Sequence, residues 1–77
     1  MEVDERRVDD AVLALLYMTL HDHCRAWKAH DWDALDRLHQ RGMISDPVNK
    51  AKSVMFTQEG KAEAERLFWA MLGKAED

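Results

Sequence analysis

The sequence predicts a small, mostly helical fold of three main helices and a two-stranded β-hairpin. Three observations carry that expectation. Residues 11–20, Ala-Val-Leu-Ala-Leu-Leu-Tyr-Met-Thr-Leu, are apolar nearly all round, as only a helix covered on most sides can be. Asp31 and Gly42 bracket a charged amphipathic stretch as start and stop signals. Past Pro47, Val54 and Phe56 alternate with Ser53 and Met55, and Thr57-Gln58-Glu59-Gly60 then opens another helix.

The first helix is expected to start near Asp4 or Asp9, where a carboxylate caps free N–H groups and suits the positive end of the helix dipole. Val8, Val12, Leu15 and Leu16 make one ridge. Leu13, Leu16, Tyr17, Leu20, Cys24 and Trp27 make another, which carries the helix to about Lys28. The second helix, capped by Asp31, sets Trp32, Leu35, Leu38 and His39 against Asp33, Asp36, Arg37 and Gln40, and Gly42 closes it. Met43 and Ile44 drop back into the core. Ser45-Asp46-Pro47 cannot continue a helix, because proline lacks the N–H and pushes its predecessor to extended geometry. Ile44 is the expected partner for the strand at Val54 and Phe56, with Lys50 and Lys52 near the tip of the loop between them. In the last helix Ala64, Leu67, Phe68, Met71 and Leu72 form the inward stripe and Gly73 ends it. Trp69 falls off that stripe.

The 77 residues make one domain, 1–77, near the lower limit of independent folding, where about 60% of the unfolded surface is buried. Cys24 is the single cysteine, so no internal disulfide forms. With an N-terminus lacking the basic-then-apolar order of a signal peptide, this points to the cytoplasm. Ten apolar residues flanked by Asp9, Asp10 and Asp22 do not span a bilayer, so no membrane role is expected. The net charge of −4 argues against dense nucleic-acid binding over the whole surface. Residues 37–61 nevertheless hold five Lys/Arg against two Asp/Glu, a hint of an anion-facing side.

The order of helix, Leu35-x-x-Leu38-x-x-x-Gly42-x-Ile44, basic loop and Phe56-Thr57-Gln58-Glu59-Gly60 resembles a winged helix-turn-helix domain over roughly residues 32–73. The whole chain is also similar to a group of short bacterial proteins classed as a domain of unknown function. Ala26-Trp27-Lys28, Asp31-Trp32, Leu38-His39, Gly42, Asp46-Pro47, residues 50–54 and Thr57-x-Glu59-Gly60 carry that similarity. The resemblance implies a reduced winged helix, with a recognition helix at about 32–41 and a two-stranded wing. Residues 24–31 are too few for a pre-recognition helix and two turns. Either a short helix forms around residues 25–29 or that element is missing. Candidate nucleic-acid contacts on this plan are Arg37, Gln40, Arg41, Lys50, Lys52 and Lys61, although Asp33 and Asp36 on the same helix oppose phosphate.

His21, His23 and Cys24, with His30 or His39, lack the paired spacings of a zinc site, so no metal is expected. Asp31, Asp33 and Asp36 read as a cap and a solvated face, and the scattered glycines make no phosphate cradle. No enzyme, cofactor or small-molecule substrate is expected. Trp27 and Trp32 bracket the interhelix turn, while Leu13, Tyr17, Trp27 and Trp69 are the candidate protein interface. The leading expectation is a non-enzymatic module acting through protein–protein contacts, as a homodimer or with another protein. The alternatives are a winged-helix DNA-binding regulator, and a small acidic inhibitor, of the sort some phages encode, of a nucleic-acid-binding protein.

Overall fold

The computed structural model describes residues 2–28 and 31–74. Five elements follow in order: α1 (Glu5–Met18), β1 (Arg25–Trp27), α2 (Trp32–Gln40), β2 (Ser53–Met55) and α3 (Gln58–Leu72). The chain thus adopts the expected class, three helices with a two-stranded antiparallel sheet in a reduced winged-helix layout.

α1 begins at the acidic cap, where the Asp4 carboxylate accepts the backbone N–H groups of Arg6 and Arg7 at 3.1 and 3.3 Å. Its end departs from expectation. The helix does not run to Lys28 but stops at Met18, where the Thr19 backbone N–H and hydroxyl both donate to Leu16 O at 3.0 Å. Asp22 and His23 then take left-handed backbone angles, φ 49° and 69°. Two successive residues of that hand reverse a chain tightly, and no α-helix passes through them. His21 and Arg25 close the turn with two backbone hydrogen bonds of 2.8 and 2.9 Å, and the chain leaves it as β1. A strand therefore occupies residues 25–27, where a short helix was one of the two expectations. Ala29 and His30 lie outside the described residues.

β1, and not Ile44, is the main partner of β2. Ala26 lies opposite Val54, flanked by the pairs Arg25–Met55 and Trp27–Ser53. Ile44 takes the other edge, bridging to Phe56, while Ser45 N–H donates to Met55 O at 2.8 Å. The two-residue period turns Ala26 and Val54 inward and leaves Trp27 and Met55 exposed.

α2 is capped by Asp31, which accepts Ala34 N–H at 3.2 Å. Gly42, at φ 76°, closes the helix in a Schellman motif: its N–H bonds to His39 O at 2.9 Å, and that of Met43 to Leu38 O at 3.0 Å. α3 starts against this same turn. Thr57 Oγ1 accepts Gly60 N–H at 2.9 Å and donates to Gly42 O at 2.6 Å, and Thr57 N–H donates to Met43 O at 3.1 Å. Around these joints Leu13, Leu16, Leu35, Leu38, Ile44, Val54, Phe56, Ala64 and Leu67 form one core. Met71 and Leu72 were expected to join it but remain about half exposed. The inward packing of α3 ends at Phe68, whose ring lies 5.2 Å from that of Tyr17.

Candidate interaction surfaces

The cations of α2 are turned toward α1. Arg37 donates from Nε and Nη2 to the Asp9 carboxylate at 2.8–3.0 Å, and from Nη1 to Glu5 at 3.1 Å. Asp9 is only 3% exposed, so a carboxylate on the buried side of α1 obtains its partner from the next helix. The hydrogen bonds that Arg37 donates to Asp9 hold its guanidinium pKa above the ordinary value. Arg41 Nη1 lies 3.7 Å from Asp10, which also meets Arg6 at 3.5 Å. Gln40 donates to Asp36 at 2.8 Å. Of the residues expected to read nucleic acid from this helix, Arg37 is thus held by α1 carboxylates and Gln40 by its own helix, while the buried Arg41 Nη1 stands within ion-pair distance of Asp10 without a hydrogen bond. What α2 presents to solvent includes Asp33 and Asp36.

The loop of residues 46–52 is different. Its backbone is tied by its own side chains: Asp46 accepts Val48 N–H at 2.9 Å, and Asn49 Oδ1 accepts Ala51 N–H at 2.8 Å. The Lys28 ammonium sits at its centre, donating to Pro47 O at 2.7 Å, Asn49 O at 3.2 Å and Asn49 Oδ1 at 3.1 Å. The same nitrogen lies 5.7 Å from the Trp32 ring centroid. Lys50 and Lys52 are exposed, and among the described residues no carboxylate comes within ion-pairing distance of them or of Lys28. Lys61 stands apart on the first turn of α3, half-buried. Trp27, Lys28, Trp32, Asn49, Ala51 and Lys52 enclose an open cleft of about 440 Å³. The two tryptophans therefore flank a cleft.

Sequence reasoning ranked Lys28 too low. Its only signal was its place beside Trp27, just before the second helix.

The apolar candidates divide. Leu13 is fully buried in the core, so it presents nothing to a partner. Tyr17 is partly covered by Phe68. Trp69 is 61% exposed, touching the edge of Phe68 with a ring separation of 5.1 Å, and Met18 is 61% exposed at the end of α1. Leu15, Met71 and Leu72 are also exposed.

His21 Nδ1–H donates to Thr19 O (2.9 Å) and its ring stacks on Trp27 at 4.5 Å, while His39 Nδ1–H donates to Ile44 O at 3.0 Å. Among the described residues no three His, Cys, Asp or Glu side chains are grouped to hold a metal ion; His30 lies outside them. No helix among those residues is long and apolar enough to cross a membrane.

Residues 4–74 match the family described as "Domain of unknown function (DUF6429)". The chain is also 59% identical over 68 residues to the "Uncharacterized protein y4hR" of Sinorhizobium fredii (strain NBRC 101917 / NGR234), an alignment covering 88% of this chain and 92% of that relative. No solved structure matches significantly.

Proposed function

The chain belongs to the DUF6429 family, and we propose that it is a small non-enzymatic interaction module that works as a homodimer through the outward faces of α1 and α3. The observation that carries the reading is the run of large apolar side chains left open on two helices packed against each other: Leu15 and Met18 on α1, and Trp69, Met71 and Leu72 on α3. Half-exposed side chains of this size offer on the order of 400–500 Å² of apolar surface, as large as the biggest patch of a typical monomer.

A second copy suits the face better than an unlike partner does. A two-fold interface sets one patch against itself and must be self-complementary in charge. α3 meets that condition, since Glu59, Lys61, Glu63, Glu65 and Arg66 mix both signs, and Arg66 already pairs with Glu63. The lone, half-buried Cys24 and the lack of a disulfide fit a reducing cytoplasm.

Size-exclusion chromatography with light scattering tests the reading. The parent chain should elute with about twice its 9.0 kDa mass, and Trp69→Asp combined with Leu72→Asp should halve it while leaving the helical circular dichroism intact. A parent protein that stays at the mass of one chain at high concentration overturns the homodimer.

A further inference from the structure

We propose that the cleft between Trp27 and Trp32 binds a nucleobase carrying its phosphate, supplied either by a single-stranded nucleic acid or by a free nucleotide. The site is independent of the dimer face: none of its lining residues is among the exposed apolar side chains of α1 and α3.

Three features define the ligand. The first is a pair of open π-surfaces. Trp27 is 50% and Trp32 56% exposed. Trp27 is held on one side by the stacked His21 ring. Trp32 is anchored as the first residue of α2, directly after its Asp31 cap. Rigid aromatic faces presented to solvent are what an unpaired base stacks upon. The second is charge. Lys28 and Lys52 line the cleft, and no carboxylate is among the described residues that line it. On a chain of net charge −4 this is a locally positive site, suited to an anion. A cationic guest, the other common ligand of paired tryptophans, would meet the Lys28 ammonium already over the Trp32 ring.

The third feature is preorganisation. Lys28 has all three donors satisfied by carbonyl oxygens of residues 47 and 49, so its charge is fixed in place without being neutralised. Lys28 N–H also donates to Lys52 O at 3.1 Å, which carries the β1–β2 ladder to the cleft wall. The ligand therefore meets a site whose walls are already ordered, and loses little affinity to ordering them. At about 440 Å³ the cleft falls within the usual size of a small-ligand site and has room for a base with its sugar and phosphate. Asn49 is spent on loop contacts, so stacking and charge, and not base-edge readout, would set affinity. A duplex, whose bases are already stacked, gains nothing from the indoles.

The test uses the full chain carrying Trp69→Phe, so that intrinsic fluorescence reports Trp27 and Trp32 alone. A fluorescein-labelled oligothymidylate of about ten nucleotides and thymidine monophosphate are the probes. The oligomer should raise anisotropy and quench the indoles at low salt. Trp27→Ala and Trp32→Ala should each weaken binding at least about fivefold. Lys52→Glu, whose side chain makes no internal bond, should weaken it several-fold and flatten the salt dependence, and it keeps the test decisive if an indole variant fails to fold. Displacement by the mononucleotide at comparable concentration identifies a free nucleotide as the ligand; displacement only by longer strands identifies a nucleic acid. The proposal is overturned if neither probe binds, if duplex DNA binds as tightly as the single strand, or if binding is indifferent to all three cleft substitutions.

Discussion

Gly60 offers the sharpest test of how the molecule is joined. It lies in the first turn of α3, at a place where helix propensity favours alanine by about 1 kcal/mol. A Cβ built there would fall 1.7 Å from Met43 O, 2.5 Å from Met43 C and 2.8 Å from Met43 Cα. All three atoms are backbone, so no side chain can swing aside. The first turn of α3 or the turn after α2 must withdraw by at least about 1.3 Å to reach even the closest contact that Cβ atoms tolerate. Met43 O is the acceptor for Thr57 N–H at 3.1 Å, and Thr57 is the cap of α3, so withdrawal loosens the joint that positions both helices. Overpacking of about 1–3 kcal/mol, plus one or two weakened hydrogen bonds at about 1 kcal/mol each, less the helix gain, leaves a net loss of roughly 1–4 kcal/mol for Gly60→Ala. For a domain of this size that lowers Tm by at least about 4 °C. Urea denaturation followed by circular dichroism measures it. Gly42→Ala serves as the comparison: the glycine is at φ 76° with nothing within 4 Å of a built Cβ, so it should cost only about 1 kcal/mol, from backbone strain alone. A Gly60→Ala protein as stable as the parent, or less affected than Gly42→Ala, would refute the close-approach argument.

Two further substitutions probe the other joints. His23→Gly should raise stability by about 0.5–1 kcal/mol, because it relieves one of two left-handed non-glycine residues in the turn after α1; a lower urea midpoint would contradict the assigned backbone. Arg37→Gln should lower Tm by leaving the buried Asp9 carboxylate without its partner, and Asp9→Asn in the same protein should recover part of the loss. The Arg37 pKa is raised in the folded chain. Its contribution is therefore complete below the ordinary arginine range and is lost only as pH rises through the raised value. Between about pH 7 and 10 the stability difference between parent and Arg37→Gln should accordingly stay level, which urea midpoints across that range will check.

What the sequence made legible was whatever is encoded within one or two turns of chain. Asp4, Asp31 and Thr57 cap the helices they precede, and Gly42 closes α2, because capping is a bargain between a side chain and its nearest backbone groups. The end of α1 was not legible, for a reason in the residues. Leu20, Cys24 and Trp27 continue the three-and-four spacing of the apolar ridge, and the reversal is made by Asp22-His23 with no glycine or proline to mark it. A three-residue strand, Arg-Ala-Trp, is too short for its period to stand out. Asp9 did carry a signal: it lies three and four residues before Val12 and Leu13, on the buried side, where a carboxylate requires a partner. Which partner depends on a helix 28 residues away, and no local pattern encodes it. For Gly60 the motif was visible, but the reason for it was not, since the obstacle is the backbone of Met43.

The same long-range pairings decide where the molecule can receive another. A winged-helix layout invites the expectation that the helix preceding the wing does the binding, and its arginines were the natural candidates. In this chain the acidic first turns of α1 hold Arg37 and stand within ion-pair distance of Arg41, which fixes α2 to α1 and leaves carboxylates among the outward groups of α2. Among the described residues the cations without carboxylate partners include Lys28, Lys50 and Lys52 as well as Arg25, Lys61 and Lys74, and of these Lys28 and Lys52 line the cleft between two open indoles. Asp9 and Asp10 are engaged on the side of α1 that meets α2, and no carboxylate is among the described residues that line the cleft, so the charges nearest a guest there are those of Lys28 and Lys52.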